Sequence, residues 1–112
     1  LSLLEQSEAD AVISVAQVED HHPARMYRIE KLSLNPLFPN LEAERRQDLA
    51  PIYLRNGCIY AIKTSALEKE ETLMPKKKVG YVMDAKWAVN IDTPLDLKIF
   101  RHLITDWKKE MQ

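Results

Sequence analysis

The spacing of apolar positions changes several times along the chain, and each change marks an element. Leu1, Leu3 and Leu4 precede a polar stretch and read as the tail of a helix. "DAVISVAQVED" is nearly continuous in apolar residues up to Val15, as expected of a strand covered on both faces. "HHPARMYRIEK" holds a proline and then a second short strand, from about Arg25 to Ile29. "SLNPLFPNLEAERRQDLAP" carries three prolines and two asparagines and reads as loop, with room for one helical turn. Asn56-Gly57 is a turn signal, and the "CIYAI" that follows is a strand. "SALEKEETLM" is a short charged helix, "KVGYVMD" a strand and "AVNID" a further short strand.

The last element has the clearest start. Thr93 suits an N-cap, Pro94 the first helical position, and Asp96 stands where a capping box has its acidic partner. Ile99, Phe100, Leu103, Ile104 and Trp107 then recur at helical spacing, and Lys108 and Lys109 complement the C-terminal dipole. The layout is helix, strands, long loop, strand, helix, strand, helix. It predicts an α/β fold in a single domain over residues 1–112.

Composition narrows the function classes. Formal net charge is −1 over 112 residues, so no global field recruits nucleic acid or an anionic membrane. The basic run "PKKKVG" reads as a solvated loop before a strand. The single cysteine, Cys58, excludes an intrachain disulfide and a cysteine-based zinc cage. Its apolar neighbours suggest a small packed hydrophobe, and a reducing, cytoplasmic setting fits. No segment has the length of a transmembrane helix, and "LSLLEQSEAD" lacks the basic front and apolar middle of a signal peptide. A first residue of Leu1 rather than Met hints at a fragment or a processed product.

Glycine is scarce, with only Gly57 and Gly80 in the chain. Neither a Walker-type loop nor a dinucleotide fingerprint can be written from two glycines. Any phosphate loop must therefore come from elsewhere.

Asp92 stands where a strand is expected to give way to a helix. A carboxylate at the carboxyl edge of an α/β sheet can hold Mg²⁺, and Asn90, two residues earlier on the same face, can add a neutral oxygen. The alternative is that Asp92 only makes a turn or helps cap the helix.

Arg45, Arg46 and Arg55 cluster with Gln47, Tyr53 and Asn56. Arginine grips carboxylate or phosphate bidentately, and amides suit a hydroxylated or acetamido-bearing ligand. The alternative is a solvated loop whose arginines pair with Glu42, Glu44 and Asp48. His21-His22 points to opposite faces of an extended chain and makes a poor metal site. Ser14 lacks the context of a serine nucleophile.

Four stretches, "ADAVISVAQVEDHHPARMY", "RRQDLAPIYLRNGCIYAI", "VGYVMD" and "AVNIDTPLDL", occur in that order. Together they resemble the later half of the acylneuraminate cytidylyltransferases, the CMP-sialic acid synthetases. The resemblance covers nearly the whole chain.

It implies a Rossmann-like nucleotidyltransferase sheet, partial here, lacking the N-terminal nucleotide-binding half. The implied reaction moves CMP from CTP to a nine-carbon 2-keto sugar acid and releases pyrophosphate, with Mg²⁺ as cofactor. By position, Asp92 would be a metal ligand and a catalytic residue, and Asn90 occupies the first Asp position of the family's D-I-D. Arg46 and Gln47 match an R-Q pair, with Arg46 placed to reach the sugar acid. Asn56 and Tyr60 match the N-G-x-I-Y strand that lines the sugar pocket. Arg25 falls near a lysine that follows H-P.

The resemblance also implies a homodimer, with residues 31–52 as a loop or dimerisation extension. Two further readings stand beside the first. The chain is a truncated, non-catalytic oligomerisation module, or a sister enzyme for legionaminic or another ulosonic acid. In each case the isolated chain is expected to lack a CTP site of its own.

Overall fold

The computed structural model describes residues 1–111. The chain forms two compact units, Leu1–Ala16 with Leu54–Gln112, and Gln17–Tyr53.

The first unit is built on a three-stranded sheet. β1 (Ala11–Gln17) lies between β4 (Tyr53–Ile62) and β5 (Lys78–Met83). β1 and β5 are parallel, in register from Ala11 opposite Lys78 to Ala16 opposite Met83. On the other side, the Lys63 N–H donates to the Asp10 carbonyl and the Ile59 N–H to Ser14 Oγ. The partner residue number falls as β1 advances, so β4 runs antiparallel and the sheet is mixed. The central place of β1 explains its nearly unbroken apolar run. Ala11, Val12, Ile13 and Ala16 are buried, as is Ser14 among them.

Three helices accompany this sheet. α1 (Ser2–Gln6) buries Leu4, and α2 (Thr64–Glu70) buries Ala66 and ends on Glu71 in the left-handed conformation at φ 51°. α3 (Pro94–Glu110) begins on a complete capping box. Thr93 Oγ1 accepts the Asp96 N–H at 3.2 Å, and Asp96 Oδ2 accepts the Thr93 N–H at 3.0 Å. The apolar stripe of α3 is only partly covered. Phe100, Leu103, Ile104 and Trp107 line a cavity of about 250 Å³ with Met83, Trp87 and Val89.

The second unit contains an antiparallel ribbon, β2 (Tyr27–Glu30) and β3 (Ser33–Pro36). Its Lys31-Leu32 loop has Lys31 at φ 57°. Single turns of 3₁₀ helix at Pro23–Arg25, Pro39–Leu41 and Arg46–Asp48 shape the rest.

Four expectations need correction. "AVNID" is not a strand, because Ala85–Trp87 form a 3₁₀ turn capped by Asp84 and the chain stays irregular up to the N-cap. Asn56-Gly57 does not interrupt the chain but lies inside the ten-residue β4. Residues 33–36, expected as loop, pair with β2. Cys58 is exposed rather than packed.

Candidate functional site

Asn56, Gly57 and Tyr60 lie on β4, and the irregular segment after β5 brings Asn90 to them. Gly57 takes φ +75°, a left-handed conformation that only glycine adopts without penalty. A β-carbon there would lie 3.5 Å from Asn90 Oδ1 and 3.7 Å from the Tyr60 hydroxyl. Asn90 Oδ1 and the Tyr60 hydroxyl therefore both lie over the bare backbone of Gly57.

The Asn56 side chain turns inward and is only 5% exposed. Its Oδ1 accepts the Ser14 hydroxyl at 2.6 Å and the Cys58 N–H at 3.1 Å. Its Nδ2 faces the Met83 sulfur at 3.5 Å. The sequence argues against Ser14 as a nucleophile, yet it marks Ser14 as a polar residue inside an otherwise apolar stretch, which is the signal of a buried hydrogen-bonding role.

Asp92 is exposed, just before α3. Its backbone N–H donates to Asp96 Oδ2 at 3.0 Å, while its carboxylate makes no hydrogen bond or ion pair among the described residues. Hydrogen bonds from the Asp92 backbone and then the Thr93 hydroxyl hold the Asp96 carboxyl below the usual carboxylate range. The capping duty thus falls to Asp96, and Asp92 is left available as a ligand.

No group of three His, Cys, Asp or Glu side chains converges on a metal position among the described residues. One carboxylate and one amide oxygen still suit Mg²⁺, which commonly takes one or two protein oxygens and completes its shell from phosphates and water.

Arg25, Arg46 and Gln47 belong to the other unit. Arg46 borders a polar cleft of about 340 Å³ whose walls include Glu19, His22, Leu49 and Ala50. Its guanidinium reaches Asp20 Oδ1 at 3.2 Å across an exposed pair, a contact that is weak in water. Gln47 follows it in the 3₁₀ turn and is exposed.

Arg25 donates to the carbonyls of Glu42 and Glu44 at 2.8 and 2.6 Å and pins that loop. Of the pairings expected for the arginine cluster, Arg45–Asp48 forms at 2.8 Å. Arg55 instead meets the Met74 sulfur.

His22 is structural. Its Nδ1 accepts the Ala24 N–H at 3.0 Å, so Nε2 carries the proton and donates to the Ala50 carbonyl at 3.0 Å.

No model of a known protein family matches the chain. Among curated proteins, it is similar to N-acylneuraminate cytidylyltransferases of Streptococcus agalactiae. It is 26% identical over 101 residues to those of serotypes III and Ia, and 26% over 108 residues to that of serotype V. Each match covers 89% of this chain but only 24% of the relative. The chain thus spans about a quarter of the length of the curated relatives it matches, and its resemblance to part of that family is borne out.

Proposed function

We propose that the chain provides the sugar-acid and metal side of a cytidylyltransferase that acts on an N-acylneuraminate-type substrate. The observation that carries this is the similarity to N-acylneuraminate cytidylyltransferases along 89% of the chain, together with Asn56, Tyr60, Asn90 and Asp92 on one unit.

In the proposed reaction the anomeric hydroxyl oxygen attacks the α-phosphorus of CTP. The bond from that phosphorus to the bridging oxygen breaks, pyrophosphate leaves, and the hydroxyl proton is lost to solvent. Both partners are electron-rich, so positioning and charge neutralisation supply the catalysis. In the other unit, Arg46 and Gln47 offer a guanidinium fork and an amide to a carboxylate-bearing ligand. Tyr60 and Asn90 offer a hydroxyl and an amide to the polar groups of the sugar. Asp92 and Asn90 would hold Mg²⁺, which would supply neutralisation of phosphate charge. The nucleotide loop is supplied from outside these 112 residues, since two glycines cannot build one.

The test is pyrophosphate release from CTP with N-acetylneuraminate, and with legionaminic acid to separate a sister enzyme. It is run with the chain alone and with a nucleotide-binding half of a relative added in trans. Release that depends on the added half and on Asp92 supports the proposal. No release in either mixture, together with no binding of either sugar acid, sinks it.

A second reading, an oligomerisation module, is favoured by the β2–β3 ribbon. The register puts Ile29 opposite Leu34 and Tyr27 opposite Pro36, so one face is apolar while Arg28, Glu30, Ser33 and Asn35 form the other. Ile29 is 73% and Leu34 57% exposed. A second copy of the chain would cover that face, giving a homodimer.

A further inference from the structure

We propose that Ser14 is a positioning residue for the Tyr60–Asn90 pair, acting through Asn56 and the backbone at Gly57. The inference rests on the sugar-acid reading above and concerns how that site is held in shape.

Ser14 is fully buried on the central strand. A hydroxyl in such a place needs partners, because an unpaired buried polar group costs more than an apolar one. It has both. The hydroxyl proton goes to Asn56 Oδ1 at 2.6 Å, the shorter of two acceptors within reach, the other being the Ile59 carbonyl at 3.3 Å. The oxygen accepts the Ile59 N–H at 2.8 Å.

Ser14 therefore grips β4 on both sides of the left-handed residue. Asn56 completes the clamp, since its Oδ1 also takes the Cys58 N–H two residues on, a side-chain-closed turn around Gly57. Three hydrogen bonds thus fix the backbone at residues 56–59. Left to itself, an Asn-Gly pair in an extended strand has several conformations to choose from.

The consequence is directional. With the turn locked, the Tyr60 hydroxyl comes back over Gly57 and the Asn90 amide fits beside it. Asn56 Oδ1 is fully used inside the protein, so Asn56 shapes the site through its carbonyl oxygen rather than by offering that oxygen to a ligand. The family-type pattern at Asn56-Gly57 is accordingly read through a serine 42 positions earlier in the chain.

The test uses the full chain labelled for NMR, with N-acetylneuraminate titrated as the probe. Three variants are compared. Ser14→Ala removes the donor and leaves the Ile59 N–H unpaired. Ser14→Thr keeps the hydroxyl. Ser14→Cys keeps nearly the same volume but weakens both hydrogen bonds of the hydroxyl. Backbone couplings at Gly57 report its φ angle.

The expected result is that Ser14→Ala moves Gly57 out of the left-handed region and weakens sugar-acid binding at least tenfold. Ser14→Thr should retain both properties, and Ser14→Cys should fall between it and Ser14→Ala in both. Ser14→Ala with unchanged Gly57 couplings and unchanged affinity overturns the proposal. So does Ser14→Ala that loses binding while Gly57 keeps its angle, since Ser14 would then not act through the backbone at Gly57. If Ser14→Ala does not fold, Ser14→Cys decides by the same two readouts. Absence of sugar-acid binding by the wild type, with Gly57 still governed by Ser14, overturns the substrate reading and leaves the clamp standing.

Discussion

The Nε2 of His22 donates to the carbonyl oxygen of Ala50 at 3.0 Å, and this bond ties the two ends of the smaller unit together. The other ring nitrogen caps the Pro23–Arg25 turn. His22→Ala removes both partners at once and leaves a buried N–H and a carbonyl unpaired, at a cost of about 1–3 kcal/mol. Hydrogen exchange should show faster opening of amides in residues 18–51, while β1 and β5 keep their protection. Uniform loosening of the whole chain would count against a local role.

Gly57→Ala should destabilise the protein by about 1–2 kcal/mol in urea unfolding, because an L-residue resists the left-handed conformation. The contacts waiting for the new methyl, at 3.5 and 3.7 Å, are ordinary ones. The cost is therefore conformational rather than a clash. Gly57→Asn, which tolerates this conformation better, should lose less stability than Gly57→Ala.

The start of α3 predicts a pH effect of definite sign. Asp96 has its carboxyl pKa lowered by hydrogen bonds from Asp92 and Thr93 that exist only in the folded helix. A lowered folded pKa contributes stability that is present above the ordinary carboxylate pKa of about 4 and lost as pH falls through the folded value. Thermal unfolding followed between neutral and strongly acid pH should show this loss, and Asp96→Asn should remove that part of the pH dependence. Thr93→Ala should cost about 1 kcal/mol at neutral pH, the usual worth of an N-cap.

This cap was legible from the sequence because every part of it is local. Thr93, Pro94 and Asp96 interact within one turn. β1 was legible for a different reason, since a strand buried on both faces must be apolar on both sides. The β2–β3 turn was hidden because Lys31 occupies a left-handed position where glycine is the usual signal. The Asn56-Gly57 signal was real, but tertiary bonds from Ser14 absorbed it into a strand instead of ending one. "AVNID" misled because Val89 serves the cavity beside α3 rather than a sheet, while Ile91 is exposed. Candidate residues could be named by resemblance, but not the inward turn of Asn56, which depends on a partner far away in sequence.

The exposed ribbon predicts self-association. Ile29→Lys with Leu34→Lys places like charges on directly opposed positions of the apolar face. Sedimentation should show the wild type as a dimer at micromolar concentration and the double variant as a monomer. A wild type that stays monomeric to millimolar concentration would remove the support for the oligomerisation reading.

Arg45 and Arg46 are adjacent, and the structure separates their roles. Arg45 holds Asp48 at 2.8 Å three positions along, within its own turn. Arg46 instead borders the polar cleft and touches Asp20 at 3.2 Å, with both side chains largely exposed. Such a pair is easily exchanged for a better anion, because its Coulomb gain in water is small and a carboxylate offered by a ligand can take both guanidinium donors. Arg46→Ala should therefore weaken binding of N-acetylneuraminate at least tenfold in calorimetry, while Arg45→Ala leaves it within about twofold. Arg46→Lys should recover little, since an ammonium cannot reproduce the fork. Equal losses for Arg45→Ala and Arg46→Ala would mean that the loop contributes only its net charge, and the assignment of the sugar carboxylate to Arg46 would be wrong.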